Sequence, residues 1–334
     1  MSHKILELYS GIGGMHCAWN ESGLQGQIVA AVDINTVANT TYAHNFPDIN
    51  LITRNIQSLS VDEIKALNVD TILMSPPCQP FTRNGKYMDD NDPRTNSFLY
   101  IINILKHLDN IEYILMENVK GFEVSTVRNL FIDKLEECNF EYQEFLLCPS
   151  SVGVPNSRLR YYCIAKRNNT LTWPFKRKDE IITKLPTDYG TQFTLESILE
   201  DNVPDTFIVP DKKLKCGNVI DICYKESKRS NCFTKAYTHY IHGMGSVYTD
   251  KSPEMVKACY EKANLHEVGS SEYVEALKEI KLRYFTPREV LMLMSFPKDY
   301  SLPTNITMKQ CYRLLGNSVN VKVISELLKI LFSY

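Results

Sequence analysis

Ser75-Pro76-Pro77-Cys78-Gln79-Pro80-Phe81-Thr82 follows directly on the short apolar run Thr71-Ile72-Leu73-Met74. A run of this kind stopped by prolines has the pattern of a buried strand that ends abruptly. Three prolines around one cysteine fix φ near about −65° at three positions, which leaves the thiol little freedom to wander. Open α/β sheets place their chemistry in loops at the carboxyl ends of strands. Free cysteines often serve only as apolar filler. The rigid loop after a buried strand argues instead for a reactive group at Cys78.

Outward from that loop, strand and helix patterns alternate. Strands are expected at 4–9, 28–32, 51–53, 71–74 and 113–116, and helices at 15–21, 36–44, 61–67, 96–107 and 127–138. Strands separated by helices of this length predict an α/β fold, a mostly parallel sheet with helices on both faces. Strand-like runs at 142–147 and 161–165 have no helix between them, which predicts an antiparallel hairpin at the sheet edge. From 173 the pattern loosens among prolines and basic clusters, so 173–282 is expected to form a smaller domain with helices at 254–262 and 272–281. Thr286-Pro287-Arg288-Glu289 carries a helix start, with Thr as N-cap, Pro first and Glu third. Helices at 308–315 and 321–332 then return to the first domain, which comprises 1–172 and 283–334.

The totals set outer limits. With 334 residues, 44% hydrophobic and 23% charged, the composition is ordinary for a globular chain. A net charge of −2 means that any nucleic-acid contact must come from a local basic face. Ten cysteines without a C-x-x-C pair argue against zinc ribbons and disulfide frameworks, and suit the reducing cytoplasm or nucleus. No basic start followed by an apolar core marks a signal peptide, and no apolar run nears the ~20 residues that span a bilayer. No membrane association is expected. His239 and His242 stand three apart without a third ligand, so no metal is expected either. Lys176-Arg177-Lys178 is basic enough for a nuclear signal, but a solvated or RNA-facing cluster is the favoured reading.

Three further stretches carry chemistry. Tyr9-Ser10-Gly11-Ile12-Gly13-Gly14 turns directly after the first strand, where glycines let a ligand approach the backbone and the next helix N-terminus. A dinucleotide fingerprint would need glycine where His16 stands, so a ligand without phosphates is favoured. Asp33 ends the second strand about 20 residues on, where a carboxylate accepts from a ribose diol. Glu117-Asn118-Val119 ends the strand after the cysteine loop, so Glu117 can open on the same crevice as Cys78. Arg158-Leu159-Arg160 opens the last strand, and period two puts both guanidinium groups on one face.

These groups suit one reaction. A thiolate attacks carbon 6 of a pyrimidine only if charge is withdrawn through ring nitrogen 3. A carboxylic acid such as Glu117 does this if its pKa is raised above the free value. Arg158 and Arg160 are suited to the carbonyl at ring position 2.

Taken in order with Asn156-x-Arg158-x-Arg160, Arg283-x-Phe285-Thr286-x-Arg288-Glu289 and Gly316-Asn317-Ser318-Val319, these motifs resemble those of the cytosine-5 methyltransferases. The resemblance implies S-adenosylmethionine as donor, S-adenosylhomocysteine as product, and the class I methyltransferase fold with a target-recognition domain. It implies Cys78 as nucleophile and Glu117 at ring nitrogen 3. Gly11, Ile12, Gly13 and Gly14 would take the methionine end of the donor, with Asp33 on its ribose and Ile34 also in the donor site. Asn55, Ile56, Ser75 and Pro76 would border the adenine, and Asn317, Ser318 and Val319 would close the pocket. Gln79, Arg83, Asn118 and the run Cys232, Phe233, Thr234, Lys235 would meet the substrate. The run Cys232-Phe233-Thr234-Lys235-Ala236-Tyr237 resembles the eukaryotic branch that methylates transfer RNA, which implies a cytosine of the anticodon loop, position 38 of aspartate tRNA. DNA as substrate for the same chemistry is the alternative. A dehydrogenase is disfavoured by the missing glycine, and a non-catalytic relative would be expected to lose Cys78, Glu117 or the glycines. The chain departs from the family at Tyr9, where Phe is usual, at Asn156, where Gln is usual, and at Asn55, where Asp is common.

Overall fold

The computed structural model describes residues 2–77, 95–167, 180–240 and 243–333. Its first part runs β1 (His3–Leu8), α1 (Gly14–Ser22), β2 (Gly26–Val32), α2 (Thr36–Asn45), β3 (Asn50–Ile52), α3 (Val61–Ala66), β4 (Thr71–Met74), α4 (Asn96–Ile104), β5 (Tyr113–Val119), α5 (Thr126–Glu137), β6 (Phe140–Leu147) and β7 (Arg160–Arg167). The smaller part holds α6 (Asp211–Leu214), β8 (Ile222–Cys223), β9 (Val247–Tyr248), α7 (Pro253–Ala263), α8 (Ser271–Lys278) and β10 (Arg283–Tyr284). The chain then returns through α9 (Pro287–Leu293), α10 (Met308–Asn317) and α11 (Val321–Phe332).

Seven strands form one sheet in the order β3-β2-β1-β4-β5-β7-β6. All neighbouring pairs are parallel except those of β7, which runs against both β5 and β6. The expected edge hairpin is therefore present, with β7 folded inward and β6 outermost. β8, β9 and β10 make a second, three-stranded sheet. Its third strand comes from Arg283–Tyr284, so the returning chain still contributes to the smaller lobe. The other expected boundary, at 172/173, lies outside the described residues, as do Lys176, Arg177, Lys178 and His242.

Local sequence accounts for the element ends. Ser60 with Glu63 and Thr286 with Glu289 each close a reciprocal capping box, and Pro287 occupies the first turn of α9. The helix expected over 96–107 is α4 followed by a tighter turn, Leu105–His107.

Period two sets which groups face the site. Ile5, Leu73, Leu115 and Ile164 pack on one face, against α1, α11 and the smaller lobe. Leu6, Leu8, Ile72, Met74, Ile114 and Met116 pack on the other, against α4 and α5. Glu7, two residues past Ile5, and Glu117, two past Leu115, therefore face the smaller lobe. Arg160 shares that side with Tyr162 and Ile164.

Candidate active site

The parallel register aligns four strand ends. Val32 pairs with Leu8, Leu8 with Met74, and Met74 with Met116. One residue past that row stand Asp33, Tyr9, Ser75 and Glu117, side by side at the carboxyl edge. The sheet order reverses between β1 and β4, which is where such sheets bind ligands. Because β7 is antiparallel, its beginning reaches the same edge, with Arg160 opposite Val119.

The turn after β1 is strained at Tyr9 and tied along its length. Tyr9, Gly11 and Gly13 have φ of 55°, 53° and 82°, in the left-handed region that a residue with a Cβ seldom adopts. The Gly11 N–H donates to Asp33 Oδ2 at 2.9 Å, the Gly13 N–H to the Ser10 carbonyl at 2.9 Å, and Ser75 Oγ to the Tyr9 carbonyl at 3.1 Å. Burial raises the Asp33 carboxyl above its ordinary value, against the N–H groups of Asn35, Gly11 and Ile34, which favour the charged form.

Glu117 is buried, and burial holds its carboxyl above the usual range even though Arg160 and Arg158 pull it down. Arg160 Nε lies 3.5 Å from Glu117 Oε1. Arg158 is also buried, but β7 starts at Arg160, so Arg158 precedes the strand that it was expected to open. Its guanidinium donates to the carbonyls of Phe233 at 3.4 Å, Gly316 at 3.2 Å and Ser318. It thereby joins the strand to the smaller lobe and to the returning segment. Cys232 Sγ lies 3.4 Å from Arg158 and 3.8 Å from Arg160. Burial pushes this thiol up, and the two guanidinium groups outweigh it, leaving the thiol below its ordinary value.

A cavity of about 340 Å³ unites most of the expected residues. Gly11, Ile12, Gly14, Asp33, Ile34, Ser75, Pro76, Glu117, Arg158, Arg160, Lys235, Asn317, Ser318 and Val319 line it. Gly13 belongs to the turn, but its α-carbon backs onto Phe46 and Tyr42. Asn55 and Ile56 are not in the lining: the Asn55 side chain caps the turn Ile56–Ser58, and Ile56 is buried. Asn118 alternates away from Glu117, and its Oδ1 accepts from the Val119 N–H at 2.9 Å. Phe233 is core, packed edge-on to Tyr237, and Thr234 Oγ1 contacts Met244. Cys78, Gln79 and Arg83 lie outside the described residues, although Ser75, Pro76 and Pro77 leading to them wall the cavity. A larger hollow of about 700 Å³, beside Glu200 and Tyr300, holds none of the strand-end groups.

Glu7 is a titratable lining residue outside the sequence expectations. Glu7 is 1% exposed, and the Tyr42 hydroxyl donates to its Oε2 at 2.6 Å. The signal was a lone carboxylate inside the apolar run Ile5-Leu6-Glu7-Leu8. Burial pushes the Glu7 carboxyl up to about 8, against hydrogen bonds from Tyr42 and the backbone of His16 and Met15. Its unfolded value is near 4.5. Between these values the folded protein holds a proton that the unfolded chain has released, so stability falls as pH rises through that window. Glu7→Gln is expected to flatten the fall in Tm between about pH 5 and about pH 8. Parallel melting curves for the two proteins would return Glu7 to the ionised state.

The seam between lobes is equally tight. A Cβ at Gly316 would stand 2.1 Å from the Lys235 nitrogen and 2.3 Å from the Thr234 carbonyl carbon. Those neighbours are backbone and yield poorly. Gly316→Ala is expected to cost ~3 kcal/mol in chemical unfolding, the upper range for overpacking. An unchanged midpoint would contradict the close approach.

Residues 3–333 match the family described as C-5 cytosine-specific DNA methylase. The chain is 76% identical over 332 residues to the tRNA (cytosine(38)-C(5))-methyltransferase of Spodoptera frugiperda, covering 99% of this chain and 100% of that one. It is 42% identical over 389 aligned positions to the tRNA (cytosine(38)-C(5))-methyltransferase of Mus musculus, covering 98% and 93%. The crystal structure of a triple-substituted Spodoptera frugiperda DNMT2 superposes with a TM-score of 0.94 at 75% identity, covering 99% and 100%.

Proposed function

The chain belongs to the C-5 cytosine-specific methylase family, and from that membership we propose that it methylates carbon 5 of cytosine 38 in transfer RNA, with aspartate tRNA as the substrate. The observation that carries the reaction is Glu117: a buried carboxyl with a raised pKa, 3.5 Å from Arg160, facing the cavity beside Ser75. The tRNA-directed names of the two relatives support the substrate.

S-adenosylmethionine, the donor of this family, supplies an electrophilic methyl group on a sulfonium. The residues fit that donor. The turn lacks the third glycine of a dinucleotide site. Asp33 places a carboxylate at the end of β2 for a diol, and Ile34, 66% exposed beside it, offers apolar surface to a flat base. Val319 closes on Gly14, where a Cβ would stand 2.7 Å from its Cγ2.

Cys78 adds as thiolate to carbon 6 of the target cytosine. Glu117 donates its proton toward ring nitrogen 3, drawing off the charge that this addition creates. Arg160 orients Glu117 and Arg158 holds the surrounding carbonyls in place. Once carbon 5 carries the methyl group and S-adenosylhomocysteine is left, the carbon 5 proton passes to water, Cys78 leaves as thiolate, and the proton at ring nitrogen 3 returns to Glu117. Carbon 6 is out of reach in a stacked helix, so the base must be turned out, which costs least in a single-stranded loop.

Incubation with labelled donor and separate tRNA and DNA pools tests the proposal. Label is expected in tRNA, mapped to cytosine 38 of the aspartate acceptor and absent when that base is uracil. Label confined to DNA would overturn the substrate while keeping the chemistry.

A further inference from the structure

Tyr300 stands 288 positions from Ile12 in the chain, yet its hydroxyl donates to the Ile12 carbonyl at 2.6 Å in the interior. We propose that Tyr300 is a positioning residue for the methyl donor, locking the Ile12–Gly13 peptide in the orientation that the donor meets. The inference rests on the glycine turn being the donor site.

The turn needs such a lock. Tyr9, at φ 55°, is a side-chain-bearing residue in a conformation that persists only where neighbours over-determine it, and Gly11 and Gly13, on either side of Ile12, are the residues freest to leave theirs. Tyr9 is held by Ser75, Gly11 by Asp33, and Gly13 by the Ser10 carbonyl. The Ile12 carbonyl is held by Tyr300. With the Gly13 N–H and the Ile12 carbonyl both engaged, that peptide plane is fixed at each end.

The far end of the tether is itself anchored. Arg288 of α9 donates to the Tyr300 carbonyl at 2.8 Å, and the Phe296 ring packs 4.6 Å away. The next residue, Ser301, exchanges two hydrogen bonds with Asn45 at the end of α2, at 2.9 and 2.8 Å. A tyrosine fixed at this many points transmits position rather than filling space. Removing its hydroxyl leaves a buried carbonyl without a partner in the turn itself.

Tyr300→Phe keeps the ring and removes the bond. Calorimetric titration with S-adenosylmethionine alone is expected to show Kd raised about 3- to 10-fold, the span of one buried neutral hydrogen bond. The KM for donor should rise in step, while kcat at saturating donor and the KM for tRNA stay within about 2-fold. Tyr312→Phe is the control, since the Tyr312 hydroxyl donates to the Phe285 carbonyl at the same 2.6 Å, buried and away from the turn. It is expected to lower Tm comparably and leave donor affinity unchanged. Unaltered donor affinity in Tyr300→Phe would overturn the inference, as would equal weakening in the control. Absence of donor binding by the unsubstituted protein would overturn the donor-site reading, and this inference with it.

Discussion

Cys78→Ala is expected to abolish methyl transfer to tRNA, with turnover reduced by more than about 10⁴-fold, the scale on which removal of a nucleophile acts. Among the described lining residues no side chain substitutes for it: Ser75 donates to the Tyr9 carbonyl, and an alcohol is a far weaker nucleophile than a thiolate at neutral pH. Donor affinity should stay within about 2-fold, because the glycine turn and Asp33 are untouched. A substrate carrying 5-fluorocytosine at the target, which cannot lose the atom at carbon 5, should leave a covalent adduct on Cys78 and none in the variant. An adduct on Cys232, whose thiol lies 3.4 Å from Arg158, would move the nucleophile to the smaller lobe.

Glu117→Gln should lower kcat about 10²- to 10³-fold with little change in Tm or donor affinity, the range of a single proton-transfer group. The amide keeps the shape and can still donate a hydrogen bond, but it has no proton to give. The pH profile separates these roles. Because burial raises the Glu117 carboxyl, its acid form persists above the usual range, and activity should decline as pH rises through the raised pKa. That decline opposes the gain that any thiol nucleophile makes on ionising, so the wild-type profile should be bell-shaped. In Glu117→Gln the alkaline fall should vanish. A fall that survives would assign it to another group.

The parts legible in the sequence share one property: they sit where a strand stops. Asp33, Ser75 and Glu117 each follow an apolar run, and parallel pairing then forces such ends together. Arg158 shows the limit of the same logic. Period two placed it on the correct side, but spacing along a strand says nothing of the carbonyls of Phe233, Gly316 and Ser318 that occupy its guanidinium. Glu7 was hidden because a carboxylate amid isoleucine and leucine looks like one polar position on a half-exposed strand. Asn55, expected at the adenine, spends its side chain on its own turn. β8, β9 and β10 are two residues each, too short for any periodicity. Tyr300 was beyond reach, since its partner lies at the other end of the chain.

The contact at Gly316 also governs how the molecule can move. Where peptide lies against peptide with no room for a methyl group, the two lobes cannot slide past one another. A relative motion of the lobes is therefore expected to pivot about that point as about a fulcrum, with the parts farthest from it travelling farthest. The donor side, gripped next to the fulcrum, would barely shift while the polynucleotide comes and goes.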